Sequence, residues 1–334
     1  MDRRPSTIEN EDNRIPVLID CDPGHDDAIA LMLAFGCGML DVLGVTTVAG
    51  NGTGLNTYNN ARRILSFLGE TEVPVGRGAD RPLLRPLVTA QSVHGETALG
   101  GIILPDPREG GSAATTALDL MTEVLRAAAM EDDARRGDGV FGRKVTLIAT
   151  GPLTNVAIML LARPELKAGL DGIVLMGGAV GQGNWTPSAE FNIHVDPEAA
   201  KIVFESGLPI TMIGLDVTHK AVIYLSEIES LRTLGRVGKT AAELLDFYWT
   251  SYRKKGFPGC PIHDAVAVAH VVLPGLVRTK SCRVDVETRG ELTTGRTIAD
   301  FSDRVMPNCR VGLDIQRERF IRALMDSVRA LSQP

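Results

Sequence analysis

Four carboxylates lie within eight residues near the start of the chain, in the octad DCDPGHDD at residues 20–27. An apolar run at residues 15–20 predicts a buried strand before the octad, and a helical pattern begins inside it. Ligands of open α/β sheets bind where strands end and helices begin. A helix N-terminus offsets only about 0.3–1 kcal/mol per charge, so a bound cation is the better compensation for such clustered charge. Carboxylate oxygens favour hard cations, and the octad therefore indicates a site for Ca²⁺ or Mg²⁺.

The simpler alternative is an N-capping cluster on a solvated loop, in which Asp26 and Asp27 serve only the helix dipole. A single Asp-Asp pair would favour that interpretation. The whole octad favours metal binding, because its Pro-Gly turn would aim Asp22 and Asp27 at one point.

Polar residues and glycines also follow three later predicted strands, at residues 43–49, 145–149 and 172–176. Glycine allows a backbone group to approach a ligand closely, and Asn and Glu side chains suit sugar hydroxyls, which both donate and accept hydrogen bonds. Each residue alone is ordinary turn chemistry, but their coincidence at successive strand ends favours a sugar site. The residues concerned are Asn51 after the first of these strands, Thr150 and Asn155 after the second, and Met176, Asn184, Glu190 and Asn192 at and after the end of the third.

Two histidines stand beside residues of possible function. His263 and Asp264 open an apolar helical pattern, where a capping role and a site role are equally supported. His94 lies in a long irregular segment at residues 77–111 and carries little information alone.

Composition limits the class of partner. The formal net charge of −6 leaves no basic surface for nucleic acid or an anionic membrane, so we expect a small-molecule substrate. The five cysteines are scattered, without a C-x-x-C pair, which predicts reduced thiols in a cytoplasmic protein. Residues 1–14 are polar and predicted to be a disordered tail, and no apolar stretch reaches membrane-span length.

The order of elements predicts the fold class. Strands predicted at residues 15–20, 43–49, 73–76, 145–149, 172–176 and 210–215 alternate with helices. The helices are predicted at residues 26–35, 57–68, 113–129, 153–161, 197–206, 225–234, 240–253, 264–272 and 315–331. Residues 131–143 are predicted to form an exposed loop, and residues 283–287 and 296–301 a hairpin. This order predicts a single α/β domain over residues 15–334, with a mostly parallel, Rossmann-like open sheet, helices on both faces and a small C-terminal hairpin.

The sequence resembles the inosine/uridine-preferring nucleoside hydrolases. The resemblance rests on the octad and on TTVAGN at residues 46–51, ATGPLTN at 149–155, VLMGG at 174–178, NWTP at 184–187 and EFN at 190–192. His94-Gly and His263-Asp264 complete the set, which spans most of the chain in the family's order. The resemblance implies hydrolysis of the N-glycosidic bond of ribonucleosides to ribose and a free nucleobase.

The resemblance also implies the metal site and the catalytic groups. Ca²⁺ would be held by Asp22, Asp27, Asp264 and the backbone carbonyl of Thr150, with ribose hydroxyls completing the shell. Asp22 would be the general base that activates water, and His263 the candidate acid for the leaving base.

The substrate-binding residues follow in the same way. Asp26 resembles the residue that bonds the ribose 2′-hydroxyl and Asn192 the one near the 3′-hydroxyl. Met176, Asn184 and Glu190 resemble the 5′ side of the sugar pocket. Asn51 matches a residue that lines the metal and ribose site, and His94 and His263 match the two histidines around the base. No motif aligns over residues 220–259, so the base preference stays open, and the family resemblance suggests a homotetramer or dimer.

Two other functions fit parts of the pattern. A haloacid-dehalogenase-like phosphatase would use Asp20 as nucleophile with Mg²⁺, but the pair Asp26-Asp27 would have no role in it. A non-catalytic nucleoside-binding protein would need neither the base Asp22 nor the acid His263.

Overall fold

The computed structural model describes residues 14–107, 115–136 and 143–333, and the side chains of residues 132–136 are not part of that description. The strands are β1 (Ile15–Cys21), β2 (Leu40–Thr47), β3 (Val75–Arg77), β4 (Thr115–Thr116), β5 (Val145–Ala149), β6 (Leu170–Met176), β7 (Ile210–Ile213), β8 (Val222–Ile223), β9 (Cys260–Pro261), β10 (Val277–Val286), β11 (Thr297–Asp300) and β12 (Cys309–Ile315). Ten of them form one sheet in the order β11-β10-β12-β7-β6-β5-β1-β2-β3-β4, and β8 pairs with β9.

The helices are α1 (His25–Gly36), α2 (Gly54–Leu68), α3 (Gln91–His94), α4 (Ala117–Arg136), α5 (Thr154–Ala162), α6 (Phe191–Val195), α7 (Pro197–Phe204), α8 (Leu215–Thr218), α9 (Leu225–Arg232), α10 (Gly235–Lys254), α11 (Asp264–Val272) and α12 (Arg317–Leu331). One apolar core lies between the sheet and α1, α2, α10, α11 and α12, and a second lies between the sheet and α4, α5 and α7. Helices therefore cover both faces, as predicted.

The centre of the sheet is parallel, and its register sets up the site. β1 pairs in parallel with β2 on one side and β5 on the other, placing Asp20 opposite both Thr46 and Ala149. β6 and β7 continue the parallel arrangement. Because parallel strands end at the same edge, the residues after β1, β2, β5 and β6 gather there.

The C-terminal part is larger than predicted. The expected hairpin exists as the antiparallel pair β10 and β11, but it belongs to the main sheet. The connecting strand β12 was not predicted; it pairs antiparallel with β10 and parallel with β7. The sequence of β12 does not alternate regularly between apolar and polar residues, because Gly312 and Asp314 interrupt the apolar pattern. The closing helix α12 begins at Arg317, two residues later than predicted.

The loop predicted at residues 131–143 is wrong at its start, because α4 continues to Arg136. Charge indicated the loop, but Glu, Ala and Arg are good helix formers, and an exposed helix end tolerates them. Residues 137–142 lie outside the described residues, as do residues 1–13 of the predicted tail. Within the described ranges, no helix is both long and apolar enough to cross a membrane.

Candidate active site

Three carboxylates converge at the edge of the sheet where the parallel strands end. Asp26 and Asp27 lie in the first turn of α1, and Asp264 is the first residue of α11. One oxygen of each lies within 4.8 Å of the others, and all three side chains are buried. Two helix N-termini thus present their positive dipole ends and their acidic side chains to one point.

Asp22 lies on the turn between β1 and α1, next to this group. Its Oδ2 accepts a hydrogen bond of 2.6 Å from the backbone N–H of Asn51, whereas its buried Oδ1 has no partner among the described residues. A Cβ on Gly50 would lie 2.1 Å from Oδ2, and one on Gly151 would lie 2.8 Å from Oδ1. The glycines after β2 and β5 are therefore required for this carboxylate to fit.

Asp27 is held from two sides. Its Oδ2 accepts hydrogen bonds of 3.0 Å from the N–H of Gly24 and from the side-chain amide of Asn51. Its Oδ1 accepts one of 2.9 Å from the hydroxyl of Thr150. Asn51 therefore joins Asp22 to Asp27 and fixes their relative positions.

Burial and mutual repulsion make this cluster unfavourable on its own. Burial raises the pKa of Asp22, and so does the charge of Asp27. The pKa of Asp264 is raised well above its usual range by burial and by the charges of Asp26 and Asp27, and that of Asp26 rises to about 7, chiefly through burial. A cation bound here would offset this repulsion, and the buried Oδ1 atoms of Asp22 and Asp26 have no hydrogen-bond partner among the described residues. The donor set is all oxygen, so the residues present fit Ca²⁺ or Mg²⁺.

Thr150, the fourth predicted ligand, directly follows β5. Its carbonyl accepts a hydrogen bond of 2.7 Å from the side-chain amide of Asn192 and keeps a second lone pair. The same amide donates to the carbonyl of Met176 at 3.1 Å. Asn192 thus links the ends of β5 and β6 across the floor of the site.

Asp20 belongs to the scaffold rather than to the site. It is fully buried at the end of β1, where its Oδ1 accepts hydrogen bonds from Thr46 at 2.6 Å and from Asn155 at 2.8 Å. Burial raises the pKa of Asp20 to about 7 despite these hydrogen bonds. Asp20 ties three segments together below the carboxylate cluster.

A cavity opens above the cluster, and nearly all the predicted site residues line it. Glu190 caps α6 with its carboxylate, which accepts hydrogen bonds from the backbone N–H groups of Gly178, Asn192 and Ile193. The predicted residues that line the cavity are Asp26, Asn51, His94, Thr150, Met176, Asn184, Glu190, Asn192, His263 and Asp264. Asp22 and Asp27 are not in the lining and contact it through Asn51 and Thr150.

A hydrogen-bonded chain runs along one wall of the cavity. Tyr248 donates a hydrogen bond of 3.0 Å to Oδ2 of Asp26, and its hydroxyl lies 3.2 Å from that of Tyr252. The Tyr252 hydroxyl lies 2.7 Å from Nε2 of His263, whose Nδ1 lies 2.7 Å from the hydroxyl of Thr218. This chain connects the acidic cluster to the imidazole predicted to be the acid.

Both tyrosines, together with Trp185 and Lys255, line the cavity but were not assigned roles from the sequence. The available signal was the i, i+4 spacing of Tyr248 and Tyr252 on α10, which places two hydroxyls side by side. On a buried helix face the same spacing is typical of core packing, so it could not be separated from that interpretation.

His94 lies on the other wall against His25. The Nε2 of His25 lies 3.0 Å from the carbonyl of Gly100, which can only accept, so Nε2 carries the proton. The Nδ1 atoms of the two histidines are 3.2 Å apart, and the His25 ring stacks on Phe247 at 4.8 Å. Burial lowers the pKa of both imidazoles, that of His25 to about 4. His94 therefore enters the site as a neutral ring.

A mostly parallel sheet whose strand ends carry a buried carboxylate cluster, beneath a cavity lined by His94 and His263, is the arrangement of a hydrolytic enzyme of the α/β class. The chain belongs to the family described as inosine-uridine preferring nucleoside hydrolase, whose profile matches residues 17–322. It is a ribonucleoside hydrolase, which cleaves the N-glycosidic bond. The phosphatase and non-catalytic binding alternatives are thereby excluded.

Relatives with known activities cover almost the whole chain. The pyrimidine-specific ribonucleoside hydrolase RihA of Shigella boydii serotype 4 is 45% identical over 321 residues, 94% of this chain and 98% of the relative. Among solved structures, the purine-preferring ribonucleoside hydrolase from Gardnerella vaginalis has a TM-score of 0.85 at 31% identity, covering 95% of this chain and 99% of that one. A plant nucleoside hydrolase has a TM-score of 0.84 at 29% identity, covering 96% and 99%.

Proposed function

We propose that the enzyme hydrolyses pyrimidine ribonucleosides, with Ca²⁺ held by Asp22, Asp27, Asp264 and the carbonyl of Thr150. The observation that carries the metal site is the convergence of Asp27 and Asp264 beside the buried, unpartnered Oδ1 of Asp22. The 45% identity to a pyrimidine-specific hydrolase over nearly the whole chain supports the choice of base.

Asp26 lies beside the proposed metal ligands and is given a different role. The proposal gives it the ribose 2′-hydroxyl, although one of its oxygens lies within 4.8 Å of oxygens of Asp27 and Asp264. Its Oδ2 is engaged by Tyr248 and its Oδ1 has no partner among the described side chains. One free oxygen suits a single hydroxyl group, and Asn192, which lines the same cavity, is proposed to meet the 3′-hydroxyl.

When bound, the cation would neutralise the carboxylates, lower the pKa of a nearby water and orient the sugar diol. Asp22 is the proposed general base, since the hydrogen bond from Asn51 fixes one oxygen and leaves the other free to take the proton. Water oxygen then bonds to C1′ as the bond from C1′ to the base nitrogen breaks. The electron pair of that bond leaves with the base, through an oxocarbenium-like transition state.

The departing base needs a proton, and His263 is the proposed source. It lines the cavity with Nε2 2.7 Å from the hydroxyl of Tyr252. Burial lowers the pKa of His263 well below its usual range, so the ring is a strong acid when it carries a second proton and passes that proton to the base directly or through this hydroxyl. Thr218 fixes the ring from behind. His94 is proposed to contact the base from the opposite wall.

The remaining groups are proposed to hold the sugar. Glu190, Asn184 and Met176 line the cavity and are proposed to meet the 5′ side. The Oδ1 of Asn184 already accepts a hydrogen bond of 3.0 Å from the N–H of Phe191, which leaves its amide hydrogens for the substrate. Asn51 would line the ribose site while it orients the two metal-binding aspartates.

A nucleoside panel tests the proposal. Purified enzyme is incubated with uridine, cytidine, inosine and adenosine, and free ribose is measured with and without a calcium chelator. We expect fast release from the two pyrimidine nucleosides, slow release from the purines and none after chelation. Faster release from inosine than from uridine would contradict the base preference, and full activity after exhaustive chelation would contradict the metal site.

We further propose a cytoplasmic homo-oligomer, a dimer or tetramer. Family membership supports this assembly. Sedimentation velocity tests the assembly, and a monomer at micromolar concentration would contradict it. Cell fractionation tests the location.

A further inference from the structure

One ammonium group lies at the mouth of the site, and the mechanism above does not use it. Lys255 directly follows α10 and lines the substrate cavity. It also lines a neighbouring cavity that shares Asn184 and Tyr252 with the first. Among the described residues that line either cavity, Lys255 is the single lysine or arginine.

Burial lowers the pKa of Lys255, and its ammonium has no ionic partner among the described residues. Its Nζ lies 5.3 Å from the centre of the Tyr252 ring, so the side chain lies along the wall that carries the proposed acid. Within the described part of the chain, no carboxylate forms an ion pair with it. Its charge also acts on His94, His219 and His263, lowering the pKa of each after the larger effect of burial. Lys255 therefore faces the histidine end of the site.

The other groups on that wall already have partners. Both ring nitrogens of His263 lie at hydrogen-bond distance from hydroxyl groups, and the Tyr252 hydroxyl lies between His263 and Tyr248. A ligand at this end would therefore meet one uncommitted strong donor, the ammonium of Lys255, which has three N–H groups and no acceptor.

The chemistry of the leaving group says what this donor would bind. When the bond from C1′ to the base nitrogen breaks, the electron pair passes to that nitrogen and is delocalised onto the oxo oxygens of the ring. Negative charge thus grows on these oxygens in the transition state. A preorganised cation aimed at developing charge accelerates a reaction more than one that binds the ground state alone.

We propose that Lys255 is a specificity-determining residue of the base subsite, where its ammonium donates to an oxo oxygen of the departing base. The enzyme then favours ribonucleosides of oxo-bearing bases, uracil above all. The inference rests on the proposed function and deepens it. No further reactant is involved: water supplies the hydroxyl at C1′, and the proton taken from water is balanced by the one delivered to the base.

The experiment compares two substrates in three variants. Lys255→Met removes the charge while keeping the side-chain length, Lys255→Arg keeps the charge, and Lys254→Met changes the adjacent exposed lysine, which lines neither cavity. Uridine is compared with 4-nitrophenyl riboside, whose leaving group departs readily and has no ring carbonyl. Loss of a charged hydrogen bond predicts a fall in kcat/KM of about tenfold or more on uridine for Lys255→Met.

On 4-nitrophenyl riboside the same variant should change by less than about threefold, which also shows that it folds. Lys255→Arg should recover most of the uridine activity, and Lys254→Met should match the wild type on both substrates. Equal losses on both substrates, or unchanged uridine activity in Lys255→Met, would overturn the role of Lys255 while leaving the proposed function intact. Wild-type enzyme that releases ribose from purine nucleosides but not from uridine would overturn the proposed function, and this inference with it.

Discussion

The hydroxyl of Tyr252 lies 2.7 Å from Nε2 of His263, at the end of a hydrogen-bonded chain that begins at Asp26. A carboxylate of the acidic cluster is thereby connected to the imidazole of His263 through two phenols. Both phenols are buried, and burial raises the pKa of each well above its usual value, so they stay protonated donors. This series of hydrogen bonds can pass or share a proton without exposing it to solvent.

Tyr252→Phe should slow the cleavage of nucleosides more than it destabilises the protein. The ring keeps its edge-to-face contact with Phe257, and only the hydroxyl between Tyr248 and His263 is lost. Removing part of a general-acid system predicts a fall in kcat of roughly 10²-fold on uridine. On 4-nitrophenyl riboside, which needs little acid assistance, we expect a much smaller effect. Steady-state kinetics on both substrates measure this.

His263→Ala should give the same substrate dependence with a larger loss on uridine. Thr218→Val, which removes the partner of Nδ1 and keeps the side-chain shape, should give a smaller loss, because it affects only the orientation of the ring. If Tyr252→Phe and His263→Ala slow both substrates equally, neither residue assists the leaving group.

Chelation and metal-ligand substitution should affect the same step. Asp264→Asn leaves the start of α11 intact but removes one charge from the group formed with Asp26 and Asp27. We expect weaker Ca²⁺ binding by calorimetry and a loss of kcat/KM of roughly a hundredfold or more. Excess Ca²⁺ should restore part of the activity of the variant. Asp314→Asn, at an exposed ion pair with Lys220, is the matched control and should change neither quantity. Normal Ca²⁺ affinity in Asp264→Asn would remove this residue from the metal site.

The position of most site residues was predictable because the site is built where parallel strands end. Asp22, Asn51 and Thr150 each follow a strand by one to four residues, and the register of β1 with β2 and β5 brings these points together. The sequence around each strand end was therefore enough to predict which of these residues lie together in the site. The fold class, the family and the reaction were predicted from the same motifs, and all three are confirmed.

The wall formed by α10 was not predictable in that way. Tyr248 and Tyr252 reach the site because α10 packs over α1, a contact between segments more than 200 residues apart. Nothing local distinguishes these tyrosines from core residues. β12 was missed for a related reason: Arg310, Gly312 and Asp314 weaken its local strand pattern, and its pairing with β7 and β10 overrides that weakness.

The stability of the protein should depend on pH through Glu190. This carboxyl is buried at the cap of α6, and burial raises its pKa from 4.5 to about 6 although three backbone N–H groups bond it. Between these two values the folded state holds more protons than the unfolded state. The free energy of unfolding therefore falls as pH rises through this window, by on the order of 2 kcal/mol from this group.

Urea denaturation between pH 4.5 and 7 measures that slope. The side chain introduced by Glu190→Gln cannot titrate, so the free energy of unfolding of this variant should change less steeply with pH. The variant should also be less stable at every pH, because its amide hydrogens face the backbone N–H donors. Glu165→Gln, at an exposed position, is the control and should keep the wild-type slope. A slope for Glu190→Gln identical to that of the wild type would show that Glu190 does not carry the effect.

Gly151→Ala should damage the active site while leaving the fold largely intact. The added Cβ would lie 2.8 Å from Oδ1 of Asp22 and 2.9 Å from Cγ1 of Val48, so the carboxylate must move to make room. Displacing the proposed base and metal ligand by a few tenths of an ångström predicts a loss of kcat of roughly 10²-fold. Gly44→Ala is the matched control, because its Cβ would meet only the flexible side chain of Leu120, at 3.1 Å and beyond. Ribose release, Ca²⁺ affinity and melting temperature are measured for both variants. An active Gly151→Ala enzyme with normal Ca²⁺ affinity would mean that the position of Asp22 is less constrained than the close approach of this glycine indicates.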